Sequence, residues 1–219
     1  MLRVDLAPGD VLVAESGSMV ARHRPVTMNV QLNASPTSGF LEKLFALLVA
    51  LLRKVLGGET FFVNRFEAAA GGSVWLAPRV SGAISHRHLA GETIVLTAGS
   101  FLASSGDVRV KMRFGGWRTI LAKEGAILLE VSGNGDLWFN SYGAIHAIDV
   151  QGSYIVDTGH LVGFEGSLTI EIRAAGGGLM GLVASGEGLV AEMRGHGRVY
   201  IQSRNMSSLV DWVMPLLPG

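Results

Sequence analysis

No cysteine occurs among the 219 residues, which excludes disulfide frameworks, thiolate metal sites and thiol nucleophiles. Charge is scarce at 16%, and 18 basic side chains are balanced by 18 acidic ones. A neutral chain does not track nucleic acid over its whole surface, although a local basic patch is still allowed. No uncharged apolar run reaches the ~20 residues of a bilayer-spanning helix. The longest, Leu44–Leu52, is nine residues inside the apolar stretch Phe40–Leu56. Met1 to Asp10 carry no basic segment followed by an apolar one. No secretory signal is therefore expected, and the reading is a cytoplasmic protein.

What is present is an apolar fraction of 48%, too high for a disordered chain and sufficient for a substantial core. Thirty glycines, nearly twice the average of about 7%, predict many tight turns and bulges. Short runs such as Val11–Val13, Ile94–Leu96, Val108–Arg113 and Leu168–Ile172 are β-branched or alternating, which predicts strands.

These runs recur in order. Gly9-Asp10-Val11-Leu12 leads to Gly17-Ser18-Met19-Val20, and Gly91-Glu92-Thr93-Ile94 leads to Gly99-Ser100-Phe101-Leu102. A third copy, one residue shorter, runs from Gly152 to Gly159-His160-Leu161-Val162. A second motif appears as Gly72-Ser73-Val74-Trp75-Leu76, Gly135-Asp136-Leu137-Trp138-Phe139 and Gly197-Arg198-Val199-Tyr200-Ile201. It recurs after 63 and 62 residues, whereas the first motif recurs after 82 and 60. The 19-residue excess of 82 over 63 matches a helical stretch at about 38–56, read as an insertion. The expectation is one all-β domain, 1–219, of three repeats at about 1–88, 89–148 and 149–219, with pseudo-threefold character. A short C-terminal helix completes it.

In the inserted stretch, Leu44, Phe45, Leu48, Leu51 and Leu52 belong to an apolar surface that covers nearly the whole helix circumference. Such a helix is buried by something: the protein's own core, a contact between subunits, or the surface of a membrane.

Taken in order, Glu15-Ser16-Gly17-Ser18-Met19, Gly57-Gly58-Glu59-Thr60-Phe61-Phe62, Phe101-Leu102-Ala103, Gly133-Asn134-Gly135-Asp136-Leu137, Val156–Val162, Gly186–Val190 and Gly195–Arg204 resemble the mitochondrial-biogenesis family named for altered inheritance of mitochondria. The resemblance runs from about Pro8 to Pro215. It implies a fold like that of the tryptophan RNA-binding attenuation protein (TRAP-like): β-sandwich or short double-stranded β-helix units that assemble into rings. It also implies a protein without enzymatic activity, and it supplies no catalytic residue.

The residues themselves agree on that last point. His86 and His88 would share one strand face, but no further ligand lies near them in sequence before Glu92, so they read as a solvated turn after Gly82 and no metal or cofactor is expected. His160 and His196 read as turn residues. Glu15, Glu59, Glu92 and Glu187 recur beside glycines at equivalent positions, which suits bonds to nearby backbone N–H groups better than catalysis.

The strongest binding lead is the strand Val108–Arg113. Alternation places Arg109, Lys111 and Arg113 on one face, and Trp117 and Arg118 follow. Guanidinium groups pair with phosphate and an indole stacks on a base. Two readings therefore stand: a structural or interaction protein that self-associates as a homo-oligomer, and a module for polyanions such as RNA or acidic lipid headgroups.

Overall fold

Strands dominate the computed structural model, which describes residues 1–32, 62–114, 127–175 and 189–217. In chain order they are β1 (Leu2–Leu6), β2 (Asp10–Glu15), β3 (Met19–Arg22), β4 (Thr27–Leu32), β5 (Phe62–Ala68), β6 (Gly72–Leu76), β7 (Ile84–Thr97), β8 (Phe101–Phe114), β9 (Ile127–Asn140), β10 (Ile145–Asp157), β11 (Leu161–Glu165), β12 (Thr169–Ala174) and β13 (Leu189–Gln202). Three of the strand runs read from the sequence fall in β2, β7 and β8, and the fourth falls in β12 except for Leu168, which precedes it. The short C-terminal helix is α1 (Met206–Val213), whose N-cap Asn205 accepts a hydrogen bond from the Ser207 amide at 2.8 Å. The stretch at about 38–56, with Leu44, Phe45, Leu48, Leu51 and Leu52, lies outside the described residues.

The named strands pair antiparallel, and only an isolated bridge between Gly82 and Gly143 is parallel among the described residues. They fall in three segments, 2–76, 84–140 and 145–202, and in each the last strand lies between the first two. Thus β6 lies between β1 and β3, and β5 between β2 and β4. Likewise β9 lies between β7 and β8, and β13 between β10 and the pair β11 and β12. The registers match in detail. Met19 faces Leu76 before a one-residue skip brings Ala21 to Trp75. Phe101 faces Phe139 before a skip brings Ala103 to Trp138, and Leu161 faces Ile201 before Gly163 meets Tyr200. Each skip is a β-bulge, which bends the strand and re-aims the side chains beyond it.

Proline marks two of the breaks between strands. Pro8 separates β1 from β2 and Pro25 separates β3 from β4, because proline cannot donate to the ladder. Between Ile84 and Asp157 there is no proline, and β7, β8 and β9 each run unbroken for 14 residues. Long strands must bend to wrap a core, and glycine allows it. Gly133 and Gly135 adopt φ of 131° and 151°. A Cβ on them would lie 2.0 Å from the Asp107 carbonyl oxygen and 2.1 Å from that of Ser105, so β8 and β9 cross at backbone contact.

Segments join edge to edge. Ala14 of β2 pairs with Ala103 of β8, and Leu96 of β7 pairs with Gly163 of β11. The core is divided accordingly into three apolar clusters. Leu102 and Ala103 leave their own segment and pack with Leu12, Ala14 and Phe66. Val162 does the same, packing with Ile94, Leu96 and Phe101. The third cluster holds Val156, Phe164, Leu168, Ala191, Met193 and Val199.

Candidate functional site

Three surface features hold chemistry. The first is the basic strand. Along β8, Val108, Val110 and Met112 turn inward against the cluster around Phe101, while Arg109 and Lys111 are exposed. Arg109 approaches the Asp107 carboxylate at 3.9 Å with both side chains about 70% exposed (72% and 73%), a contact of little energetic weight. Lys111 lies directly across the ladder from Glu130. Arg113 is on the same strand, paired at the backbone with Leu128. Trp117 and Arg118 lie outside the described residues. Arg22, at the end of β3, is turned back on its own loop, donating to the carbonyls of Val26 and Arg24.

The second feature is a cluster that the sequence reading missed. His86 and His88 are not in a turn: both lie on β7, pointing to the same exposed face. Asp136, opposite His88 on β9, accepts from His86 Nε2 at 2.8 Å and from His88 Nδ1 at 3.1 Å on one oxygen, Oδ1. The His86 ring stacks on Trp138 at 5.3 Å. Hydrogen bonding from His86, opposed by partial burial, holds the Asp136 carboxyl below the usual carboxylate range. The register of β9 on β7 was the missing information, since Asp136 is 50 residues from His86 and 48 from His88 in sequence.

A cleft of about 660 Å³ opens beside Asp136, lined by Arg3, Asp5, Asp10, Ser105 and Trp138 among others. Each of its carboxylates is committed. Asp5 pairs with Arg3 at 2.8 Å, and Asp10 accepts the Ala7 amide at 2.8 Å. Among the described residues no group of three or more His, Asp or Glu side chains could hold a metal ion.

Two further sequence readings are settled here. Glu92 accepts the Ala90 amide at 2.7 Å, and that bond lowers its pKa; this is the backbone role expected of it. His196, by contrast, is not in a turn. It sits within β13 opposite Gln151, and the flanking Gly195 and Gly197 remain in the ladder. Gly195 has φ of 122° and a Cβ there would lie 3.3 Å from the Ser167 carbonyl oxygen, so these glycines serve close strand approach and not chain reversal.

The third feature is apolar and exposed. Met19 and Val20 on β3 are 37% and 55% exposed, whereas their register counterparts Phe101 and Leu102 are fully buried. On β10, the terminal strand of the separate ten-stranded sheet, Tyr154 and Ile155 are 44% and 53% exposed, although Ile94 and Val95 at the same places on β7 are 0% and 1%. Both edges are terminal in their sheets among the described residues.

A family model described as mitochondrial biogenesis AIM24 matches residues 1–204. The chain belongs to the AIM24 family. An uncharacterised protein from Streptococcus pyogenes serotype M6 is 30% identical over 227 residues, covering 100% of this chain and 87% of that protein. An X-ray crystal structure of a Streptococcus pyogenes protein superposes with a TM-score of 0.79 at 29% identity, covering 98% of this chain and 93% of that one. The bacterial relatives place this chain beside prokaryotic AIM24 proteins. Among the described residues no helix is long and apolar enough to cross a membrane, which says nothing of spans made by strands.

Proposed function

We propose that this AIM24 protein is a non-enzymatic structural or interaction protein of the cytoplasm that self-associates. Its chain reads as three copies of one three-stranded unit in a single domain, a TRAP-like arrangement with pseudo-threefold character. The matched registers at Met19, Phe101 and Leu161 support the repeat. The observation that carries self-association is the burial contrast: Val20 is 55% exposed where Leu102 and Val162 are both 0%. Isolated exposed apolar residues are ordinary, but a strand edge whose sister edges are core is unfinished surface. Unprotected edges recruit further strands unless charge or proline blunts them.

The test is native mass. Size exclusion with light scattering on the untagged protein should give a discrete multiple of the 23.1 kDa chain. A monomer across the accessible concentration range would refute the reading.

A second reading rests on the exposed face of Arg109 and Lys111. It makes the protein a module for RNA or acidic lipid headgroups. The adjacent Asp107 and facing Glu130 offset that field. Changing Arg109, Lys111, Arg113 and Arg118 to Gln would abolish polyanion binding and flatten its salt dependence if this reading holds.

A further inference from the structure

We infer that β3 of one molecule pairs antiparallel with the C-terminal half of β10 in a second copy of the same chain, with Ala21 opposite Val156 and Arg22 opposite Ile155. This rests on the self-association proposed above and specifies its surface, polarity and register.

The argument comes from two junctions already formed inside the chain. In each, the second strand of one segment joins the outer edge of the first strand of the preceding segment. Ala103 and Ser104 meet Ala14 and Val13, and Gly163 and Phe164 meet Leu96 and Val95. Each junction also delivers apolar side chains into the preceding segment's core: Leu102 and Ala103 to the cluster of Leu12 and Phe66, and Val162 to the cluster of Ile94 and Leu96. The operation is thus performed twice with one geometry.

A third application has both halves present and neither used. The joining strand of the first segment is β3, and among the described residues no first strand receives its outer edge. Its residues Met19, Val20, Ala21 and Arg22 are all exposed. The receiving edge of the last segment is Tyr154–Val156, where Tyr154 and Ile155 are exposed beside the cluster of Val156, Ala191 and Met193. Among the described residues β3 pairs with β6 alone, and β10 with β13 alone. Carrying over the register of the two formed junctions sets Ala21 against Val156, and Val20 then enters the third cluster as Leu102 and Val162 enter theirs.

The contact is heterologous, joining two different edges, so each copy keeps one free donor edge and one free acceptor edge. Such head-to-tail contacts close into a ring or extend into a filament, according to the rotation between copies. A twofold dimer would leave this complementarity unused.

Because the chain lacks cysteine, introduced thiols report the contact directly. Directly opposed residues of an antiparallel pair have Cα atoms about 4.5–5.5 Å apart, within disulfide range. We would prepare Arg22→Cys and Ile155→Cys separately, confirm by circular dichroism that each folds, and oxidise them alone and mixed. The mixture should yield a disulfide-linked species of two chains at least about tenfold above either variant alone. The doubly substituted chain should give a ladder of linked chains.

A two-chain product from Arg22→Cys alone would mean like-with-like edges and would overturn the inferred polarity. A link formed within the doubly substituted chain would show that the molecule closes on itself, also overturning it. Native mass separates the two levels of the proposal. An assembly without the 22–155 link refutes this interface and leaves self-association standing, whereas a monomer refutes both. As a second variant, Val20→Glu should weaken assembly by at least about tenfold, since a carboxylate would be buried without a partner. Assembly unchanged by it would count against β3 as the contact.

Discussion

The first and middle segments of this chain use the same three-stranded pairing, yet they finish it differently. In the middle segment, β7, β8 and β9 run 14 residues each and both edges of the segment are covered by neighbours. In the first, Pro8 and Pro25 divide the equivalent paths into β1/β2 and β3/β4, and β3 is exposed at all four positions. The difference teaches that exposure here is a matter of position in the series of segments. Met19-Val20 and Phe101-Leu102 are alike in hydropathy, and only the second pair has a receiving edge.

Substitutions at matched positions would sharpen this contrast. The largest effect is expected at Phe101, fully buried in the central cluster. Phe101→Ala should cost about 3–5 kcal/mol, whereas Met19→Ala, at a site 37% exposed, should cost less than about 1 kcal/mol in the dissociated chain. Urea unfolding of both variants at low concentration measures the gap, and equal losses would erase the distinction between finished and unfinished edges.

Next come the glycines. Gly135→Ala forces a Cβ to within 2.1 Å of the Ser105 carbonyl oxygen, so β8 and β9 must separate at their crossing. A loss above about 2 kcal/mol is expected, combining that clash with the left-handed backbone. Gly152→Ala meets nothing within 4 Å at φ of 101° and should cost about 1 kcal/mol, from conformation alone. Thermal melts of the pair provide the comparison.

The smallest effect concerns the His86–Asp136–His88 cluster, which occupies the middle segment only: the counterparts of Asp136 are Ser73 and Arg198. Its carboxyl is lowered in the folded protein, first by the His86 hydrogen bond. The stabilisation is therefore fully present above the unfolded value of about 3.9 and lost as pH falls through the lower folded value. The wild type should lose melting temperature more steeply than Asp136→Asn on acidification from about pH 5 to pH 3. Parallel curves would show that the bridge contributes nothing.

Much of the fold was legible in local sequence. The alternation of Val108, Val110 and Met112 with Arg109 and Lys111 was sufficient to place the strand and its two faces, because side-chain direction in a strand has a fixed period of two. The C-terminal helix was legible too. Other features were not. Gly195-His196-Gly197 looked like a turn, since glycine favours both reversal and close strand approach, and only the ladder with β10 separates the two. Asp136 was invisible as a partner of the two histidines because the register of β7 on β9 brings it there.

By itself, then, the sequence determined the β class, the positions of four strand runs, the family and the absence of thiol chemistry. These depend on composition and on patterns a few residues long. The tertiary structure alone decided which apolar strands are core and which are open edges, and which carboxylate meets His86 and His88. Both depend on partners far away in the chain. Local pattern can say that a strand edge is apolar, but burial requires a second surface, and its presence is a property of the assembled sheets.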